Sequence, residues 1–162
     1  MNTSGSPFRL VSGRGCTVIE TKSIALSEVF DSELAVSAVR ELASSAGFCQ
    51  VCEFMTATAA SELATNILRY AGCGTITVSL VKRKTQDTEG IELLACDEGP
   101  GIPDIGMALR EQYSSQENSL GLGLPSVKNM MDDFFIESFV GLGTRVLVYK
   151  WKKNCRQPEL IV

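Results

Sequence analysis

The chain has 162 residues, of which 44% are hydrophobic and 21% are charged, the composition of one soluble globular domain. Its formal net charge of −4 argues against nucleic acid or an anionic membrane as a partner, and no apolar run approaches the ~20 residues of a membrane span. The absence of histidine excludes Ser-His triads, His-ligated zinc and phosphohistidine chemistry on this chain. Because the Ser/Gly-rich N-terminus also lacks the apolar segment of a signal peptide, we expect a cytoplasmic protein.

The first half of the chain predicts a tail, a strand and two helices. Residues 1–15 are rich in Ser and Gly and predict a flexible N-terminal tail. β-Branched residues among threonines favour a strand over residues 17–22. Residues 31–46 carry an apolar stripe at helical spacing and are followed by Gly47, which is typical of a helix end. A second helix begins near residue 51 and extends to about residue 71.

Two antiparallel hairpins are predicted in the second half. Residues 75–81 alternate between apolar and hydroxyl side chains, and residues 91–97 follow as the next strand, so the two should pair. Residues 135–139 and 144–151 predict a second hairpin around a glycine-rich turn. Period two places Asp97 at the end of a core-facing row, where a lone carboxylate is costly unless it meets a hydrogen-bond donor.

Between the hairpins the sequence predicts two helices and a polar segment. Pro103 can be the first residue of a short helix, and the polar residues 112–119 predict a mobile segment, which would form the lid of the site if the resemblance described below holds. Residues 120–133 predict a helix that opens on two glycines. The free N–H groups at such a helix start favour phosphate.

The six cysteines predict reduced, mostly structural thiols. Cys49 and Cys52 form a Cys-x-x-Cys, which is also found in redox sites and in zinc sites. No histidine or second cysteine pair accompanies it, so we favour the structural interpretation.

Glu62 and Asn66 stand four residues apart on the second predicted helix, one turn above each other. A carboxylate and an amide placed in this way can divide two tasks at one anion, because one polarises an attacking group while the other holds a metal. By itself the pair is far more typical of a solvated helix face than of a site. The glycine motifs downstream favour the functional interpretation.

Four motifs occur in order: Glu62-x-x-x-Asn66, Asp97-x-Gly99-x-Gly101, Gly121-x-Gly123 and Gly141-x-Gly143-Thr144. This set resembles the Bergerat-fold (GHKL) ATPase superfamily, and within it the anti-sigma-type serine/threonine kinases. The runs ELATNILRYA, GPGIPD and LGLGLPSVKNMMD look most like the switch kinases of stressosomes. The resemblance implies an α+β two-layer sandwich with a mixed, mostly antiparallel sheet and helices on one face. The ATP-binding kinase domain would span residues 16–153, followed by a C-terminal tail over 154–162.

The resemblance also implies a role for each motif residue. Asp97 would accept a hydrogen bond from the adenine amino group of ATP, and Thr144 would help to fix the purine. Asn66 would ligate Mg²⁺ that bridges the phosphates, and Glu62 would orient and deprotonate the attacking hydroxyl as the catalytic base. The implied nucleotide-binding glycines are Gly99, Gly101, Gly121, Gly123, Gly141 and Gly143.

On this resemblance the leading hypothesis is an ATP-dependent protein serine/threonine kinase. It would phosphorylate STAS-domain antagonist or scaffold proteins in a partner-switching stress-response pathway, with a downstream phosphatase as a further candidate partner. The alternative is a nucleotide-binding anti-sigma or partner-switching module that acts mainly by sequestration. A third interpretation, the catalytic piece of a histidine kinase, is disfavoured by Glu62, because such domains usually carry Asn there. The last is an α/β domain whose glycines only form turns.

Overall fold

The structure is a computed structural model that describes residues 5–110 and 123–153. Two helices follow the first strand, and a short π-helical turn ends the second of them. Two further helices lie between the third and the fourth strand. In chain order these elements are β1 Cys16–Leu26, α1 Asp31–Ser45, α2 Gln50–Asn66, the π turn Ile67–Ala71, β2 Gly74–Arg83, β3 Glu89–Asp97, α3 Ile105–Ala108, α4 Gly123–Met130, β4 Asp133–Phe139 and β5 Gly143–Trp151.

The five strands form one open sheet in the order β1-β2-β3-β5-β4. Each of the four pairings is antiparallel, and both predicted hairpins, β2–β3 and β4–β5, are present. The predicted α+β sandwich with a mostly antiparallel sheet is therefore confirmed.

The main core lies between the helices and one face of the sheet. Leu42 of α1 and Leu63 of α2 are almost fully buried against Ile76 of β2 and Leu93 of β3. Burying one such side chain contributes about 1.5–3 kcal/mol of stabilisation. The predicted alternation is confirmed, because the core-facing residues of β2 and β3 all join this cluster: Ile76, Val78, Leu80, Ile91, Leu93 and Ala95.

The N-terminal segment covers part of the opposite face of the sheet, and here the structure differs from the prediction of a flexible tail. Leu10 is 3% exposed and belongs to a second apolar cluster on the strands. Glu137 of β4 accepts hydrogen bonds from the backbone N–H groups of Arg9 and Leu10 at 2.8 and 2.9 Å. The buried Glu92 of β3 accepts from the Ser12 hydroxyl and the Gly13 N–H at 2.5 and 2.8 Å. Two carboxylates on the sheet thus hold the segment in place. These carboxylates need hydrogen-bond donors, which the Ser/Gly composition of the segment does not reveal.

Among the described cysteines, Cys49 departs from the predicted reduced state. Cys49 is disulfide-bonded, whereas the other cysteines in the described part of the chain are free: Cys16, Cys52, Cys73 and Cys96. Cys49 and Cys52 are therefore not bonded to each other. The spacing could not predict this outcome, because the pairing of cysteines depends on which of them the fold brings close.

Candidate functional site

The C-terminal end of α2 carries the first two predicted site residues. Glu62 and Asn66 are both half-buried, one helical turn apart. Directly after Asn66 the α-helix widens into the π turn, which closes with a hydrogen bond from the Gly72 N–H to the Ile67 carbonyl at 2.9 Å. Single π turns occur often at functional sites, where they redirect the end of a helix.

Close packing ties this helix end to the loop that follows β3. A Cβ added to Gly99 would lie 2.6 Å from the Ala71 Cβ, and one added to Gly74 would lie 2.7 Å from the Ile67 side chain. Gly74 in turn pairs directly with Asp97 across the β2–β3 ladder. The glycines therefore let the π turn contact the Asp97 loop. Asn66 directly precedes this turn in the sequence.

Asp97 is a half-buried hydrogen-bond acceptor held by backbone groups. Its Oδ1 accepts from the Gly99 N–H at 2.9 Å, and the Thr144 N–H also donates to the carboxylate. Burial raises the pKa of this carboxyl, and the two N–H groups oppose that rise. Within residues 5–110 and 123–153 no lysine or arginine forms an ion pair with it. Such a group suits a ligand that brings a hydrogen-bond donor.

The β4–β5 turn packs against the same loop. Gly101 has φ +76°, and a Cβ there would lie 2.4 Å from the Phe139 carbonyl oxygen. Gly143 has φ +120°, and its Cβ would lie 2.0 Å from the Asp97 carbonyl oxygen. A hydrogen bond of 2.8 Å from the Gly141 N–H to the Pro100 carbonyl closes the contact. These positions require glycine because backbones meet there.

Asp97, Thr144 and Ser138 form a row across β3, β5 and β4. Thr144 is the direct partner of Asp97 on one side and of Ser138 on the other, and directly opposed residues point to the same face of a sheet. The Ser138 Oγ lies 2.7 Å from the Thr144 Oγ1. The glycine motifs did not single out Ser138. The only signal in the sequence is its place in the alternation of β4.

Glu62 has the electrostatics of a proton acceptor. Burial raises the pKa of its carboxyl, while the positive charge of Arg69 in the π turn acts in the opposite direction. A carboxylate whose pKa is raised takes up a proton more readily near neutral pH than an exposed one. The helix thus presents a carboxyl of raised pKa at Glu62 and an amide at Asn66.

The predicted phosphate-binding motif is only partly described. Gly123 is the first described residue of α4, and an added Cβ there would lie 4.0 Å from the Pro125 Cδ. The buried Val127 anchors this helix in the main core. Gly121 and the predicted lid over 112–119 lie outside the described residues, so the phosphate cradle stays a prediction.

The structure therefore brings the Asp97 loop, the β4–β5 turn and the end of α2 into one region. Comparison of the sequence with protein families adds a match to the histidine kinase-like ATPase domain over residues 28–150, which includes all of these elements. The chain belongs to this family. The predicted superfamily is thereby confirmed.

Curated relatives of this ATPase domain carry two kinds of name. Serine/threonine-protein kinase RsbT of Bacillus subtilis (strain 168) is 41% identical over 112 residues, which cover 69% of this chain and 82% of the relative. Anti-sigma F factor of Caldanaerobacter subterraneus subsp. tengcongensis is 30% identical over 96 residues, covering 58% of this chain and 66% of the relative. Anti-sigma F factor of Geobacillus stearothermophilus is 37% identical over 73 residues, covering 43% and 48%. The kinase relative and the family together bear out the predicted enzyme class, a protein serine/threonine kinase.

Two further observations bear on the classes of site and partner. None of the described helices is long and apolar enough to cross a membrane. In the described part of the chain, no group of three or more His, Cys, Asp or Glu side chains is arranged to hold a metal ion by itself.

Proposed function

We propose that this protein is an ATP- and Mg²⁺-dependent kinase that phosphorylates a serine or threonine of STAS-domain partner proteins and thereby switches partners in a stress-response pathway. The observation that carries the proposal is the end of α2, where Glu62 and Asn66 stand one turn apart on a helix that packs, through its π turn, on the Asp97 loop. A base, an amide ligand and an adenine-binding acceptor are thus held by one packed unit. Cytoplasmic location belongs to the same proposal.

In this mechanism Asp97 accepts a hydrogen bond from the adenine amino group, and Thr144 lies beside it. The half-buried carboxylate of Asp97 suits that ligand, because its two N–H partners leave acceptor capacity unused. Binding the base in this way holds the nucleotide in one orientation. Positioning and charge neutralisation then supply most of the catalysis of phosphoryl transfer.

Asn66 is the protein ligand that we assign to Mg²⁺. The donor set fits, because Mg²⁺ in kinase sites is usually held by one or two side-chain oxygens, with substrate phosphates and water completing the octahedron. A half-buried amide oxygen without a surrounding acidic cluster is consistent with this mode of binding. Asn66 would hold Mg²⁺ there, and the ion would supply charge neutralisation at the phosphates.

Glu62 is the residue that we assign as catalytic base. It accepts the proton of the partner's serine or threonine hydroxyl as the oxygen attacks the terminal phosphoryl group of ATP, which leaves ADP and the phosphorylated partner. Its raised pKa supports this role, since burial makes the carboxylate a better proton acceptor. A downstream phosphatase would reverse the modification or be released by it.

A second candidate function is sequestration, which is favoured by the relatives named anti-sigma factors. A module of that kind holds nucleotide but acts by binding its partner, so its output requires no proton transfer. The two functions therefore differ in their dependence on Glu62.

The experiment compares Glu62→Gln and Asn66→Ala with the parent chain, using Mg-ATP, labelled phosphate and candidate STAS proteins. Glu62→Gln keeps the size of the side chain but removes the base, so ATP and partner binding should persist while phosphoryl transfer falls by about 10²–10⁴-fold. Asn66→Ala should weaken Mg-ATP binding and phosphorylation together. Glu53→Gln, the same change nearer the start of α2, is the matched control and should retain the parental rate.

The outcomes separate the candidates. A parental rate of transfer in Glu62→Gln would show that Glu62 is not the base. A parent chain that binds a STAS protein tightly but never phosphorylates any would favour sequestration.

A further inference from the structure

Ser138 contacts both segments that shape the proposed adenine site, although it belongs to none of the motifs. Its Oγ accepts a hydrogen bond from the Ile102 N–H at 2.7 Å, just after the Asp97 loop. It also lies 3.2 Å from the Gly143 carbonyl oxygen, to which it donates, and 2.7 Å from the Thr144 hydroxyl. One half-buried hydroxyl thus joins the loop after β3 to the β4–β5 turn.

The number of protons and lone pairs decides the direction of the contact between Ser138 and Thr144. A serine hydroxyl has one proton to donate and two lone pairs that accept. The Ile102 N–H can only donate, which uses one lone pair, and the Gly143 carbonyl can only accept, which uses the proton. The remaining contact is complete only if the Thr144 hydroxyl donates to the second lone pair of Ser138. Thr144 then has no proton left for a ligand.

We propose that Ser138 is a positioning residue for base recognition: by taking the Thr144 proton, it turns Thr144 into an acceptor beside Asp97 and so selects a purine with an amino group at position 6. Asp97 and Thr144 are direct cross-strand partners, so both acceptors face the same edge of the site. The adenine amino group brings two N–H donors to this edge. A 6-oxo purine brings a carbonyl oxygen to that position instead, which cannot hydrogen-bond to two acceptors, and its only donor at this edge is the N1–H, one ring atom away. This inference rests on the proposed ATP site.

The test measures the affinities of the full chain for Mg-ATP and for the Mg²⁺ complex of inosine triphosphate, whose base differs from adenine by a 6-oxo group in place of the amino group. The parent should prefer ATP. Ser138→Ala releases the Thr144 proton, which can then donate to the 6-oxo group, so the ratio of the two affinities should fall about tenfold, the discrimination of roughly one hydrogen bond. Ser138→Thr keeps the hydroxyl and favours the strand, so it should retain the parental ratio.

A purely structural role for Ser138 predicts a different pattern. Both affinities would then fall by the same factor in Ser138→Ala and the ratio would stay parental, which would overturn the inference while leaving the proposed function intact. Loss of the ratio in Ser138→Thr would overturn it as well. Ser138→Cys, nearly isosteric and only a weak hydrogen-bonding group, must also lower the ratio, and it replaces the alanine variant if that one does not fold. A folded parent chain that binds neither nucleotide would refute the proposed function itself.

Discussion

Replacing Asp97 by Asn tests the proposed adenine site directly, because the change keeps the shape of the side chain and alters only its charge and its hydrogen bonding. The carboxylate now receives N–H donors from Gly99, at 2.9 Å, and from Thr144. In the asparagine variant a single amide oxygen remains to accept from the Gly99 and Thr144 N–H groups. The second carboxylate oxygen is replaced by an NH₂ group, which donates. That donor would face the adenine amino group, so two donors would meet.

The magnitude follows from the loss of a charged hydrogen bond in a half-buried site. Such a bond contributes about 1.5–3 kcal/mol, which corresponds to a weakening of ATP binding by roughly 10- to 150-fold. Because an NH₂ group suits a 6-oxo purine, Asp97→Asn should lose less affinity for inosine triphosphate than for ATP. Isothermal titration calorimetry with both nucleotides measures each value.

Asp87→Asn is the matched control, since Asp87 is exposed in the β2–β3 connection and pairs only with Lys82 among the described residues. It should bind ATP as the parent does. Circular dichroism melting establishes that both variants are folded. If Asp97→Asn were folded and bound ATP with parental affinity, Asp97 would not be the residue that recognises adenine.

Two further predictions concern the base and the β4–β5 turn. The proposed base Glu62 would act only when deprotonated, so the rate of phosphoryl transfer should be lost as the pH falls through its raised pKa. Arg69→Gln removes a positive charge that lowers this pKa, so it should shift the acid limb of the pH–rate profile to higher pH. An acid limb that does not move would exclude Glu62 as its source. Gly143→Ala should destabilise the fold by at least about 2 kcal/mol in urea titrations, because its Cβ would lie 2.0 Å from the Asp97 carbonyl oxygen. Gly141 is also at positive φ, but an added Cβ there would have no atom of the described residues within 4 Å, so Gly141→Ala should cost distinctly less. Equal losses would contradict the steric argument.

Local patterns in the sequence were sufficient to predict the strands, the helices and the position of Asp97 at the end of its strand. The alternation in β2 and β3 reports which side chains are buried, and that alternation alone put Asp97 at the end of a core-facing row in need of a donor. The structure supplies two such donors, the N–H groups of Gly99 and Thr144. Glu62 and Asn66 could be paired because the helical repeat fixes which residues share a face.

Other features depended on contacts between segments that are distant in the chain. Leu10 packs on the sheet because the second face of the sheet needs to be covered. Ser12 binds Glu92 because this buried carboxylate needs hydrogen-bond donors. Neither need can be read from a Ser/Gly-rich segment. The disulfide of Cys49 likewise depends on which cysteine the fold brings near it.

Ser138 shows the same limit at the site itself. The sequence around Ser138 shows only that it is one position in an alternating strand. Its hydrogen bonds join it to Ile102, earlier in the chain, and to Gly143 and Thr144 on the other side of the β4–β5 turn. Periodicity determines the face of the sheet on which a side chain lies. Only strand pairing and loop packing decide which groups meet there, because those contacts join residues that the chain itself keeps far apart.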